Sequence, residues 1–154
     1  MSLIIMQAVM QSNNGFKIYE RGLQYQSILG YSGGNAEANF RGDSLQCIFT
    51  SGAPIAFFYL ANPINTNAFS RVFIDWQYNV AAGDNGPWIG ISASGGNEPW
   101  NYQNIYFGRD EWGYSRRLDS FDLPSQGNRY LSFGLKHEFA LSSAELNIFR
   151  IYLK

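Results

Sequence analysis

Apolar and polar positions alternate with a period of two along most of this chain. Residues 70–78 put Val72, Ile74, Trp76 and Tyr78 on one face, and Arg71, Phe73, Asp75 and Gln77 on the other. Residues 129–135 set Leu131, Phe133 and Leu135 against Tyr130, Ser132 and Gly134. Leu45, Cys47 and Phe49 alternate in 45–49, and Ile105 and Phe107 oppose Asn104 and Tyr106 in 103–109. This is the pattern of strands with one face on a core. Further strands are expected at 4–10, 16–20, 23–29, 55–61, 88–93 and 144–153. Long helices are not expected, because no long window repeats apolar residues at three and four.

Turn-forming clusters punctuate the strands: Asn13-Asn14-Gly15, Ser32-Gly33-Gly34-Asn35, Gly83-Asp84-Asn85-Gly86-Pro87, Ser94-Gly95-Gly96-Asn97 and Ser125-Gln126-Gly127-Asn128. These residues accept positive φ or hydrogen-bond their own backbone. About ten short strands so punctuated specify an all-β fold, an antiparallel β-sandwich of jelly-roll type, with an up-and-down barrel as the alternative. Residues 1–154 are expected to form one domain. The opening Met1-Ser2-Leu3 is open to reading as an expression scar, which would make this a domain of a longer protein, and its pattern is not that expected of a signal peptide.

Composition narrows the function. Charged residues make up 15% of the chain, under the usual ~25%. The net charge is −1 and the lysines are only Lys17, Lys136 and Lys154. A duplex nucleic-acid partner needs clustered cations and is not expected. One Cys and one His exclude a disulfide framework and a Cys/His zinc site within one chain. Apolar runs reach six or seven residues, so no membrane insertion is expected.

Trp76, Trp88, Trp100 and Trp112 recur every twelve residues. Trp88 and Trp100 share the context Gly-x-Asn-x-Pro-Trp, and Trp112 lies in Gly108-Arg109-Asp110-Glu111-Trp112-Gly113. Trp76 and Trp88 continue into strands and read as core. Trp100 and Trp112 sit among Asn, Glu, Asp, Arg and Gly, so an exposed role is open to them. An exposed indole is a rigid apolar plate on which a pyranose face stacks, while planar polar groups at its rim fix the hydroxyls. The candidate ligand-binding residues are therefore Trp100, Trp112, Tyr102 and Tyr114 as plates, with Asn97, Glu98, Arg109 and Asp110 as rim.

Catalytic chemistry finds little support. His137 follows a strand with no Gly-x-Ser-x-Gly elbow to serve. Cys47 alternates inward with Leu45 and Phe49 and reads as a buried thiol. Glu98 with Asp110 or Glu111 is the one carboxylate pairing that would suit a glycoside hydrolase, and no recognised spacing supports it. Asp84, Asn85, Asn97 and Asp110 offer oxygens to calcium, yet ordinary turn capping accounts for them, and no metal or cofactor is expected. Arg41-Gly42-Asp43 reads as turn chemistry, and Arg116-Arg117 is too small a patch for a polyanion.

The closing segments Tyr130-Leu131-Ser132-Phe133-Gly134-Leu135 and Ala144 to Leu153 resemble the last two strands of β-sandwich modules in bacteriophage tail and receptor-binding proteins, and of related galactose-binding-like domains. The Gly-, Asn- and Tyr-rich, lysine-poor composition is similar to tail-fibre proteins. The resemblance implies attachment to a host-surface saccharide, and with the weak catalytic signals the expected function is a non-catalytic carbohydrate-binding module in a virion or at a cell surface. The resemblance also implies a homo-oligomer, often a trimer, whose avidity makes up for weak single sites. It carries over no binding residue. A structural oligomerisation module, with exposed aromatics as interface anchors, is the rival reading.

Overall fold

The computed structural model describes residues 15–79, 86–106, 115–136 and 144–154. Among them run eleven strands: β1 (Phe16–Glu20), β2 (Leu23–Gln24), β3 (Ile28–Phe40), β4 (Leu45–Leu60), β5 (Ile64–Asn65), β6 (Arg71–Asn79), β7 (Gly86–Ser92), β8 (Gln103–Tyr106), β9 (Ser115–Asp122), β10 (Asn128–Lys136) and β11 (Ala144–Leu153). Every strand pairing is antiparallel.

The long β3–β4 hairpin builds both layers. The first half of β4, Leu45–Phe49, pairs with β11, which pairs in turn with β6 and β6 with β9. The second half, Ile55–Tyr59, pairs with β10, which leads to β7 and β8. The hairpin folds over between the halves. Cys47 Sγ reaches the Ala56 carbonyl at 3.5 Å, and the space beside Gly30 is bounded by Ala38, Phe40 and Phe58. Register shifts around Asn35, with Gly34 at φ +69, mark the corner on β3. Strands that cross between packed sheets turn such corners at bulges and glycines.

The fold is the antiparallel jelly-roll sandwich expected, and the crossed strand order excludes the up-and-down barrel. One buried cluster joins the layers: Cys47, Phe49, Ile74, Trp76, Leu146 and Ile148 from the first, and Phe58, Ile89, Leu131, Phe133 and Leu135 from the second. Trp76 and Cys47 are core residues, as their alternation implied. β9 closes one edge with polar side chains that serve the core. The Trp76 indole donates to Asp119 Oδ2 at 2.7 Å, and Arg117 donates to the Tyr78 hydroxyl at 3.0 Å.

Several expectations need correction. The strands read at 45–49 and 55–61 are one continuous β4, because both halves find partners on different layers. Ser32-Gly33-Gly34-Asn35 is not a turn between strands but the bend inside β3. The strand read at 23–29 is interrupted, with β2 ending at Gln24 and β3 starting at Ile28. β9 was not expected, since Arg116, Arg117, Asp119 and Asp122 hide its alternation. The strand read at 4–10, together with His137, Asp84 and Asn85, lies outside the described residues.

Candidate functional site: an aromatic sheet face and its loop

The second layer carries aromatics on both faces. Strand β4 reads Ile55-Ala56-Phe57-Phe58-Tyr59-Leu60, so Ala56, Phe58 and Leu60 enter the core and Phe57 and Tyr59 point outward. Register sets Tyr31 opposite Phe57, Gly134 beside Phe57, and Trp88 beside Gly134. Outside the sandwich core this assembles a second cluster of Phe57, Trp88 and Tyr102, with Tyr31, Ile55, Tyr59 and Tyr130 packed on it partly buried. Phe57 is the hub, its ring centroid 5.5 Å from Tyr31, 5.6 Å from Tyr59, 5.8 Å from Trp88 and 6.1 Å from Tyr102. Tilted and edge-on arrangements at these separations are favourable.

Small residues let the rings lie down on the sheet. A Cβ on Gly134 would come within 2.8 Å of Trp88 Cζ2. The Trp88 indole donates to Ser132 Oγ at 3.3 Å, so its one polar group is satisfied. Asn104, opposite Gly90 on β8, has a buried Oδ1 with no partner, an acceptor left for a donor.

The β7–β8 loop rises from this face and is pinned to it. Ser92 Oγ accepts from the Ser94 and Gly95 amides at 3.1 and 2.9 Å. Gly95, at φ +66, lies so close to the Tyr130 ring that a Cβ there would stand 2.6 Å from Cγ. The Tyr102 hydroxyl donates to the Gly96 carbonyl at 2.9 Å, and burial pushes that phenol's pKa well above its usual range. A 3-10 turn over Pro99–Asn101 then presents Trp100, which is 76% exposed. Pro99 starts that turn with its φ preset. The result is an indole held out by a loop that has little freedom left to lose on binding.

The expected site residues fall into three groups. Asn97, Glu98 and Trp100 are exposed together on the loop. Tyr102 is buried at 6% and works as a support for the loop instead of as an open plate. Arg109, Asp110, Trp112 and Tyr114, with Glu111, lie outside the described residues. Sequence reasoning missed Tyr31, Tyr59 and Tyr130. Only Tyr59 left a signal, in 55–60, which is apolar on both faces where a half-solvated strand needs only one.

Among the described residues no group of three or more His, Cys, Asp or Glu could hold a metal ion. Cys47 is fully buried, and burial pushes its thiol well above the usual range, which makes it a poor nucleophile. No helix among the described residues is long and apolar enough to cross a membrane.

No family model matches the sequence, and no curated protein is similar to it at a significant level. Solved structures do share the fold. A carbohydrate-binding module of the β-sandwich superfamily, known for promiscuous specificity, superposes with a TM-score of 0.54 over 92% of this chain at 13% identity. This chain spans 62% of that neighbour's length. A family 29 carbohydrate-binding module of Piromyces equi superposes at 0.51, covering 89% of this chain and 87% of its own at 12% identity. A family 29 module variant in complex with cellulohexaose gives 0.53, covering 89% and 88% at 8% identity. The chain thus has the β-sandwich fold of carbohydrate-binding modules.

Proposed function

We propose that this protein is a non-catalytic carbohydrate-binding module whose site is the outer aromatic face of the second layer together with the Trp100 loop. One observation carries the reading. A bare indole, Trp100, stands on a braced loop beside a sheet face that bears Tyr31, Tyr59 and Tyr130. Burying one such plate against a sugar's C–H face yields apolar burial at a small entropy cost. Asn97 and Glu98 supply planar polar groups at its rim. Neighbours of the same fold that bind carbohydrate support the reading.

The finer reading is attachment to a cell-surface saccharide, from a phage tail or as an appended binding domain, in a homo-oligomer whose copies add avidity. Titration of a cognate oligosaccharide, followed by tryptophan fluorescence, tests the site. Binding should fall at least about tenfold in Trp100→Ala and measurably in Tyr59→Ala or Tyr130→Ala. Undiminished affinity in all three variants would remove the site.

A further inference from the structure

The outer face of the first layer carries a different chemistry. A bulge between Ile148 and Arg150 turns Phe149 and Arg150 outward, Tyr152 follows on β11, and exposed Lys154 comes just after its end. Bulges re-aim side chains in this way. Cations cover the rings. The Arg150 guanidinium lies 5.0 Å from the Tyr152 centroid, and Lys154 Nζ lies 5.5 Å from Phe73 and 5.9 Å from Tyr152. Arg116 lies 4.5 Å and Arg21 5.8 Å from Phe149. Tyr152 and Phe73 also stack on each other at 5.0 Å.

Arg21 is the only non-glycine residue among those described with positive φ, at 44°. With Gly22 at φ +93 it forms the tight β1–β2 turn, where Asn or Asp would fit with less strain. An arginine there brings its guanidinium over Phe149, while its amide donates to the Phe149 carbonyl at 2.8 Å.

The carboxylates within this strip are already matched. Asp75 accepts both prongs of Arg116, at 2.8 and 2.7 Å, and Glu20 pairs with Lys17 at 2.6 Å. Among the described residues no carboxylate pairs with Arg21, Arg150 or Lys154, and Arg150 Nε is buried with no partner. By register Arg150 stands between Glu20 and Asp75, whose ion pairs go to Lys17 and Arg116, so cation–π contacts orient cations that outnumber the carboxylates beside them.

We infer that the strip formed by Arg21, Phe149, Arg150, Tyr152 and Lys154 is a second binding face, selective for a carboxylate- or sulfate-bearing saccharide. The saccharide part of this inference rests on the function proposed above. The anionic part rests on the unmatched cations. The guanidinium fork suits carboxylate and sulfate, and the rings hold the forks in place. Stacked nucleobases are disfavoured, because the ring faces are taken by cations and by each other.

The test compares an oligogalacturonate with its methyl-esterified counterpart, which keeps the backbone and loses the charge. Calorimetry is run at low and at moderate salt, with a single-stranded oligonucleotide as a third probe. The acid form should bind at least about tenfold tighter than the ester and weaken as salt rises. Arg21→Gln with Arg150→Gln should abolish that preference, while Trp100→Ala leaves it intact. Arg150→Lys, which keeps the charge and loses the fork, should bind at an intermediate level and controls for folding. Dextran sulfate, read in the same way, covers a sulfate-selective face. The inference is overturned if neither anionic polymer binds better than the neutral ester, or if the double glutamine variant keeps the preference. Tighter binding of the oligonucleotide than of either anionic polymer would overturn it as well. Loss of neutral-glycan binding in Trp100→Ala bears only on the first site, so the two proposals fail separately.

Discussion

Gly134 is the position at which the aromatic face can be tested by a single methyl group. It lies in the middle of β10 between Phe57 on β4 and Trp88 on β7. Its backbone is ordinary, so space and not conformation demands the glycine. A Cβ there would overlap Phe57 Cβ and stand 2.7 Å from the Ala56 carbonyl oxygen and 2.8 Å from Trp88 Cζ2. One obstacle is backbone and cannot swing aside. Overpacking of this kind costs about 1–3 kcal/mol, and the upper end applies here. Alanine regains about 0.5–1 kcal/mol of unfolded-state entropy and strand propensity. The net loss is about 2 kcal/mol, or a fall of about 4–8 °C in Tm for a domain of this size. Gly42→Ala is the control, since nothing lies within 4 Å of its Cβ, and it should stay within about 0.5 kcal/mol of wild type. Thermal melts followed by far- and near-ultraviolet circular dichroism read both variants. A Gly134→Ala melt within a degree or two of wild type would refute the packing described for Phe57 and Trp88.

Other expected outcomes follow from the same contacts. Trp100→Ala should leave Tm nearly unchanged, because the indole is 76% exposed, so its effect on glycan binding reads as lost contact and not as unfolding. Asp119→Ala removes the acceptor of the buried Trp76 indole and should cost about 1–3 kcal/mol by urea denaturation, with Asp119→Asn losing less. Burial raises the pKa of Cys47, Tyr102 and Tyr19 in the folded state, so above the unfolded values the folded chain holds more protons and stability falls as pH rises. The urea midpoint should therefore drop from about pH 8.5 upward, and Cys47→Ala should flatten the stretch between about pH 8.5 and 10. A thiol reagent should leave Cys47 unmodified in the folded protein and label it in urea.

Much of the fold was legible because burial writes a period of two into a strand. Val72, Ile74, Trp76 and Tyr78, and Leu131, Phe133 and Leu135, alternate in sequence and are buried in the structure. The β3–β4 corner was not legible. Gly33 and Gly34 mark a change of direction, and nothing local distinguishes a bend within a strand from a turn between two. β9 escaped because an edge strand needs few apolar residues, and its Asp119 and Arg117 cap Trp76 and Tyr78 instead. Trp100 could be placed in a polar loop from its neighbours. Its exposure depends on Ser92, Gly95 and Tyr102 pinning the loop to the sheet, which no spacing reveals. Tyr31, Tyr59 and Tyr130 come together from three strands only through register.

The most direct measurement is a glycan array probed with the wild-type protein and Trp100→Ala, both displayed multivalently so that weak single sites are seen. Binding to a defined saccharide class by wild type, lost on removal of Trp100, is the expected result. An array on which wild type binds nothing, or on which Trp100→Ala binds the same saccharides equally well, would contradict the account.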